Sequence, residues 1–145
     1  MAMQFSVDCK AFAEKINTNL STVVRRVSAS IYADIVKAWP VDTGYSRRNW
    51  QVGIDSPPEG VIGEHPKTSK KRPAGGVLQP LYDPDGMNTA IPVKQGDVDV
   101  WLVNNVVYAE ALENGHSKQA PHGCVKIAIA AAQAEMESIT AKLNE

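Results

Sequence analysis

The chain lacks the features that mark several common classes of protein. It has two cysteines in 145 residues, Cys9 and Cys124, too few for a small domain stapled by disulfides. Its longest apolar run, Ile127 to Ala132, is much too short to cross a bilayer. Basic and acidic residues number 15 and 16, so no cationic excess indicates a general nucleic-acid binder. We therefore expect a soluble protein of a reducing cytoplasm, without an export signal, whose partners are proteins.

Signatures of catalysis and nucleotide binding are missing as well. The pair Gly75-Gly76 has neither the lysine spacing nor the strand-to-helix setting of a phosphate-binding loop. No Gly-x-Ser-x-Gly sequence indicates a serine nucleophile. Glu110 and Glu113 lie three residues apart on a predicted helix, where paired carboxylates are more often solvated than catalytic. We expect no cofactor, and we keep a small hydrolase only as a distant alternative.

Three residues of metal-binding type, His116, His122 and Cys124, lie within nine residues of one another. They lack the paired spacing of structural zinc motifs, and a fourth ligand would have to come from Cys9 or His65. We therefore interpret this stretch as a polar loop that leads into a helix, and we expect no metal.

The strongest pattern in the chain is an apolar stripe near the N-terminus. Its members recur at steps of three and four residues, as on one face of an α-helix: Phe12, Ile16, Leu20, Val23, Val24, Val27, Ile31, Ile35 and Trp39. Asp8 places a carboxylate in the first turn, and Pro40 marks the end of the pattern. We predict one helix from Asp8 to Trp39, about 48 Å long at about 1.5 Å per residue.

A turn and two strands are predicted from the patterns that follow. The corner Pro40-Val-Asp-Thr-Gly44 combines a proline, two side chains that can bond nearby amides, and a glycine that permits a left-handed conformation. Residues 49–54 and 98–103 alternate apolar with polar or small residues, as half-buried strands do. We predict that these strands pair and bury one face on the long helix.

Residues 56–97 form a long insertion of different composition. Seven of the nine prolines and six of the ten glycines lie there, which disfavours regular elements apart from short edge strands at 61–62 and 91–93. Loops longer than about 12–15 residues are uncommon in compact domains, so we expect this one to be mobile until a neighbour orders it. Its basic cluster at 67–72 could contact phosphates, but acidic residues elsewhere in the insertion balance it.

Two further helices are predicted in the last third of the chain. Residues Val107 to Gly115 form a short helix that Asn114-Gly115 closes with a left-handed cap. Apolar residues at steps of four and three from Val125 to Leu143 indicate an amphipathic helix, and its alanines allow close helix packing. The chain, 1–145, is then predicted to be one α+β domain with a long N-terminal helix and a C-terminal helix packed on a small antiparallel sheet.

Two sequence motifs, taken in order, resemble a known family. The first is Pro40-Val-Asp-Thr-Gly44 followed by Arg48-Asn-Trp50. The second is Val107-Tyr-Ala-Glu-Ala-Leu-Glu-Asn-Gly-His-Ser-Lys-Gln-Ala-Pro121 with Gly123. Their order and spacing, between an N-terminal and a C-terminal helix, resemble the tail-completion proteins of tailed bacteriophages, also called head–tail joining or neck proteins. The insertion at 56–97 is the main departure from that pattern.

The resemblance implies a structural virion protein without enzymatic activity. Such a chain would form a cyclic homo-oligomer, with six subunits expected, in the neck between the head connector and the tail tube. Its other neighbours would be connector, adaptor, terminator or tube proteins, with nucleic acid at most passing through the ring. It would assemble in the host cytoplasm. The alternatives are a tail terminator or minor tail protein that caps the tube and, more distantly, a non-viral protein-binding module.

The resemblance also implies that the motif residues act as scaffold or interface. They are Asp42, Thr43, Gly44, Trp50, Tyr108, Leu112, Glu113, Gly115, Ser117 and Pro121. Gly44 and Gly115 would supply backbone angles that glycine adopts readily, and Pro121 would begin the last helix. We expect Trp50 and Tyr108 to be core residues rather than interface residues.

Overall fold

The chain forms five helices and a two-stranded sheet in the part that a computed structural model describes, residues 7–16, 20–64, 76–82 and 99–143. In chain order the elements are α1 (Lys10–Lys15), α2 (Leu20–Ala38), α3 (Tyr45–Arg48), β1 (Trp50–Ile54), β2 (Val100–Asn104), α4 (Ala109–Glu113) and α5 (Val125–Leu143). The predicted α+β class is therefore correct. No helix in these four stretches is long and apolar enough to span a membrane.

Helix α2 lies at the centre of the fold because one of its faces is apolar and buried. The buried apolar side chains of this face are Val23, Val24, Ala29, Ile31, Tyr32, Ile35 and Val36. Fully burying an apolar side chain such as Ile35 stabilises a protein by about 1.5–3 kcal/mol relative to leaving it exposed. The predicted stripe contains four of these residues, Val23, Val24, Ile31 and Ile35, while Ala29, Tyr32 and Val36 widen the buried face beyond it.

The prediction of a single N-terminal helix is wrong, because the structure divides it. Helix α1 ends at Lys15, and α2 begins at Leu20. The short α1 contacts both α2 and α5, and this packing buries Ala13. Residues 17–19, between the two helices, lie outside the described residues.

Helix α5 packs against α2 and also contacts α1. Its most deeply buried side chains, Ala128 and Ala132, are small, which allows two helix axes to approach closely. Helix α2 in turn lies against strand β2. We had expected the C-terminal helix to pack on the sheet. It packs mainly on helices instead, because its alanine face suits a close helix contact.

Strands β1 and β2 pair antiparallel, as predicted, with Val52 opposite Leu102. The alternate apolar side chains of both strands pack against the core. The other face of the sheet is approached by the segment after β1, since a Cβ atom on Gly53 would overlap the carbonyl oxygen of Ser56. Both faces are thus in contact with protein, which a two-stranded sheet needs for stability in water.

The described parts of the insertion are bonded to the core. Asn49, which is completely buried, accepts the N–H of Ile62 at 2.6 Å and donates to the carbonyl of Ile62 at 3.2 Å. The hydroxyl of Tyr32 accepts the N–H of Tyr82 at 2.9 Å and donates to the carbonyl of Tyr82 at 2.8 Å. These contacts lie within the subunit, and the expectation that a neighbour orders the rest of the loop stays a prediction.

Other predictions for the insertion have different outcomes. Residues 61–62, proposed as an edge strand, are not part of a strand in the structure. The proposed strand at 91–93 and the basic cluster at 67–72 lie outside the described residues.

Candidate functional site

The two sequence motifs meet in space, and we call the region where they meet the motif junction. It comprises the corner Pro40–Gly44 with α3, and the segment from α4 to Gly123. The side chain of Gln119 joins the two parts: its Oε1 accepts the N–H of Val41 at 3.0 Å, and its Nε2 donates to the carbonyl of Val41 at 3.1 Å. Sequence reasoning missed Gln119, because a glutamine in a loop gives no signal of a partner 78 residues away.

The corner is held by backbone contacts that require a glycine. Gly44 has φ +86°, and a Cβ atom there would overlap the backbone of Leu78. The Oγ1 of Thr43 accepts the N–H of Tyr45 at 3.2 Å, and the carbonyl of Thr43 accepts the N–H of Leu78 at 2.8 Å. Thr43 is therefore a structural residue, while Asp42 beside it is exposed.

Trp50 lies in the core, where it packs against Trp39 at the end of α2. The two indole rings meet edge to face, with centroids 5.1 Å apart and an interplanar angle of 90°. The Nε1 of Trp39 donates to the Oγ of Ser46 at 3.0 Å, and the Nδ2 of Asn104 donates to the carbonyl of Ser46 at 2.8 Å. These contacts join α2, α3 and β2 next to the corner.

Helix α4 runs only from Ala109 to Glu113 and not from Val107, but the left-handed cap that the sequence predicts after it is present, at Gly115 with φ +88°. The N–H of Gly115 donates to the carbonyl of Leu112, and the N–H of His116 donates to the carbonyl of Ala111, each at 3.1 Å. This pair of bonds is the Schellman motif. A Cβ atom on Gly115 would also overlap the carbonyl oxygen of Pro121, so two constraints select glycine here.

The segment after this cap is a compact series of turns. The carbonyl of Ser117 accepts the N–H of Ala120 at 3.2 Å, and its Oγ accepts the N–H of Gln119 at 3.2 Å. The N–H of Gly123 then donates to the carbonyl of Ala120 at 3.1 Å, which places Pro121 second in a four-residue turn. The expectation that Pro121 begins the last helix is therefore wrong, because α5 begins only at Val125.

Glu113 is a buried cap of helix α5. Its side chain is only 1% exposed, and its carboxylate accepts three backbone N–H groups at the start of that helix. Oε1 accepts from Cys124 at 2.5 Å and Val125 at 2.7 Å, and Oε2 accepts from Lys126 at 3.2 Å. A carboxylate in this position satisfies N–H groups that have no partner within the helix and lies at the positive end of the helix dipole.

The sequence interpretation of Glu110 and Glu113 as a solvated pair is corrected by this geometry. Glu110 is exposed, whereas Glu113 points into the protein. The sequence does carry an indirect signal, since Cys124 stands where Ser, Thr, Asp or Asn normally caps a helix. A helix without a local cap needs an acceptor from elsewhere, but only the fold can supply it.

An exposed apolar pair lies beside the motif junction. Val107 is 99% exposed, and Tyr108, which we had expected in the core, is 37% exposed. Partial burial raises the pKa of the Tyr108 hydroxyl, and charge interactions with Tyr45 of α3 and Asp42 of the corner raise it further. Leu112, one turn along the same helix, packs against the core instead. The exposure of Val107, and in part of Tyr108, makes them candidates for contact with a partner.

The two arginines before β1 have different environments. The Nη2 of Arg47 donates to the carbonyl of Leu78 at 2.9 Å and so helps to fix the segment 76–82. Arg48 lines an open cleft of about 320 Å³, together with residues 76–81. The described residues that line this cleft include no carboxylate, histidine or cysteine.

Of the residues considered as metal ligands, His65 lies outside the described residues. His116 and His122 are exposed, while Cys124 is buried directly before α5. Among the described residues, no three His, Cys, Asp or Glu side chains are close enough to hold a metal ion. Burial, and then the carboxylate of Glu113, raise the pKa of the Cys124 thiol to about 11, so that it is protonated at neutral pH.

Four polar side chains of the motif junction hold backbone segments together. Thr43, Glu113, Ser117 and Gln119 all accept hydrogen bonds from main-chain N–H groups. Comparison of the chain with models of known protein families, with curated proteins and with solved structures finds no match to any of them.

Proposed function

We propose that this chain is a structural subunit of the neck of a tailed bacteriophage, a tail-completion or head–tail joining protein without enzymatic activity. In this proposal its subunits form a closed ring, taken as six-membered, between the head connector and the tail tube. Two sequence motifs suggest it through their resemblance to that family. The observation that carries it is the bond pair between Gln119 and Val41, which unites these motifs into one structural unit.

The chemistry of the motif junction supports a scaffold role. In an active site, polar side chains converge on a cavity where a substrate can reach them. Here Thr43 and Glu113 are buried and bonded to backbone N–H groups of their own chain. Gly44 and Gly115 are required because other backbone segments pass where a side chain would lie. Each of these features shapes a rigid body, which is what a ring subunit needs.

The apolar pair Val107 and Tyr108 supports a protein partner. A valine that is 99% exposed gains nothing from folding of the subunit alone. Exposed apolar residues beside a rigid element are typical of contact sites, and aromatic residues are enriched among those that contribute most to binding. In a ring, each subunit uses two different surfaces to contact its two neighbours. We propose that this pair belongs to one such surface.

Deletion of the gene in the phage or prophage that encodes the chain tests the proposal. We expect filled heads and complete tails of normal length that do not join, as electron microscopy of lysates would show, with infectivity restored by the gene in trans. Tails of uncontrolled length would instead indicate the tail terminator. Normal infectious particles would refute both, as would the absence of the protein from purified wild-type virions by mass spectrometry.

A further inference from the structure

Three apolar side chains that stay exposed lie together at the surface, and we call this region the outer patch: Val61, Val107 and Tyr108. Asn105, two residues before Val107, donates from Nδ2 to the carbonyl of Gly60 at 2.9 Å. The hydroxyl of Tyr45, which interacts electrostatically with that of Tyr108, donates to the carbonyl of Gly63 at 3.5 Å. Val61, which is 49% exposed, lies between these two anchored glycines. The segment 60–63 thus lies against the residues that lead into α4 and extends the apolar pair into a patch.

Acidic residues flank the outer patch. Glu59 and Glu64 lie on either side of Val61 in the chain, Glu110 lies two residues after Tyr108, and all three are exposed. The described segments 58–64 and 104–111, which extend three residues to either side of the patch, contain no lysine or arginine. The patch is therefore apolar with an acidic rim, and it suits a partner surface that is apolar and carries a positive charge.

The cleft beside α3 has this character. It has a volume of about 320 Å³, and Arg48 and residues 76–81 form its walls, with apolar side chains from Val77, Leu78, Pro80 and Leu81. Arg48 is the only charged residue among the described residues that line it. We call it the Arg48 cleft. An apolar surface with one positive charge complements an apolar patch with an acidic rim.

The outer patch and the Arg48 cleft lie on different sides of α3. Tyr45 bonds to Gly63 beside the patch, whereas Arg47 bonds to the carbonyl of Leu78 in the wall of the cleft. Two residues along an α-helix correspond to about 200° around its axis, so these two side chains project in nearly opposite directions. A subunit can therefore present the patch to one neighbour and the cleft to another.

We propose that the outer patch of one subunit binds in the Arg48 cleft of a second copy of this chain, with Glu110 facing Arg48 of the partner subunit. Val107 and Tyr108 then fill the cleft, as aliphatic and aromatic anchors fill pockets at the centre of protein interfaces. A contact between two different surfaces of one chain repeats head to tail and closes into a ring when the rotation between subunits allows it. The inference rests on the ring of the proposed function and names the two surfaces that would form it.

Sedimentation of the purified full chain tests the contact through its charges. Wild type should associate beyond a dimer as its concentration rises, because each head-to-tail contact leaves a cleft and a patch free at the ends. Glu110→Lys or Arg48→Glu alone places like charges at every contact and should weaken association about 10-fold or more. Glu137→Lys, the same charge change at an exposed position of α5, is the matched control and should associate as wild type does.

Mixing the two charge variants separates this contact from other arrangements. In an equimolar mixture, Glu110→Lys and Arg48→Glu subunits can alternate, so that every contact again joins opposite charges and wild-type association should return. A mixture as weak as the single variants would overturn the proposal. Unchanged association in Arg48→Glu, or a wild type that stays monomeric or stops at a dimer, would overturn it as well.

Cysteine cross-linking places the two surfaces against each other directly. Gln79 is exposed and lines the cleft, so mild oxidation of a mixture of Val107→Cys and Gln79→Cys should join unlike chains. A mixture of Val107→Cys with Glu137→Cys is the control and should give no more dimer than wild type, which accounts for Cys9 and Cys124. Equal yields from the two mixtures would overturn the proposal, as would most dimer from Val107→Cys alone, since the patch would then meet a second patch.

These experiments use purified protein, whereas the gene deletion uses the phage, so the two proposals can fail separately. Normal infectious particles after deletion would refute the neck function and leave a confirmed contact in place. Unjoined heads and tails, together with failed charge and cysteine pairing, would refute only the contact.

Discussion

Within the part of the chain that the structure describes, Glu113 is the only side chain that caps the first N–H groups of α5. Replacing it with alanine removes this cap. Three donors, on Cys124, Val125 and Lys126, lose their acceptor, and the first two are held at 2.5 and 2.7 Å. Because Glu113 is 1% exposed, water cannot take its place without rearrangement of α4 and the turns that follow. We expect this substitution to be among the most destabilising at a polar position of the chain.

The magnitude follows from the hydrogen bonds that are lost. A hydrogen bond to a charged group contributes about 1.5–3 kcal/mol, but three bonds to one carboxylate are not additive. We therefore expect Glu113→Ala to lower the free energy of unfolding by about 3 kcal/mol. For a domain of this size, each kcal/mol lowers Tm by about 2–4 °C, so Tm should fall by about 6–12 °C.

Two further variants separate the cap from other effects. Glu113→Gln keeps one carbonyl oxygen for Cys124 and Val125 but turns an amide toward Lys126, and should cost about half as much. Glu110→Ala removes an exposed carboxylate from the same helix and should change the free energy of unfolding by less than about 0.5 kcal/mol.

Thermal unfolding followed by circular dichroism measures these differences, and hydrogen exchange at residues 124–126 localises them. In Glu113→Ala, these amides should exchange faster than the amides in the middle of α5. The reasoning is refuted if Glu113→Ala and Glu110→Ala have the same Tm and the same exchange rates at the start of α5.

Three other predictions follow from the same structure. Gly115→Ala should lower Tm more than Gly60→Ala, because both glycines have positive φ but only at Gly115 does a Cβ atom overlap another segment, at Pro121; equal losses would contradict the overlap. Val107→Lys should leave Tm within about 2 °C of wild type. When the variant gene replaces the wild-type gene, less protein should be incorporated into virions, and full incorporation would show that this residue is not in the interface. The pKa of the Cys124 thiol is about 11 in the folded protein, against an ordinary thiol pKa of 9.0. Its contribution to the free energy of unfolding is therefore complete below pH 9.0 and is lost as pH rises toward 11, because over this range the thiol ionises more readily in the unfolded chain. Urea unfolding should show wild type losing stability over this range faster than Cys124→Ala.

Several parts of the fold were predictable because they depend on neighbours in sequence. Part of the buried face of α2, the pairing of β1 with β2 and the cap at Gly115 follow from spacing or from one residue type. The division of the N-terminal helix was not predicted. An apolar stripe continues across 16–20 whether the helix is straight or broken, and contact of α1 with α2 and α5 decides between these forms.

The candidate site also contains features that the sequence predicted and features that it did not. Gly44 and Gly115 were identified from the sequence, since a left-handed residue before or after a helix is a local requirement. The roles of Glu113, Gln119 and Tyr108 were not. Two glutamates three apart look alike in sequence, yet one is exposed and the other is buried against the N–H groups of a different helix.

The sequence by itself determined the α+β class, the two pairing strands and where the backbone needs glycine, because these depend on side-chain spacing and local φ and ψ preferences. Only the tertiary structure decided which polar groups are buried, since a buried carboxylate or amide is stable only where another segment supplies its hydrogen-bond partners. It also decided which apolar groups stay exposed, Val107 and Ile127 among them. Burial is a property of the packed chain, and no single segment contains it.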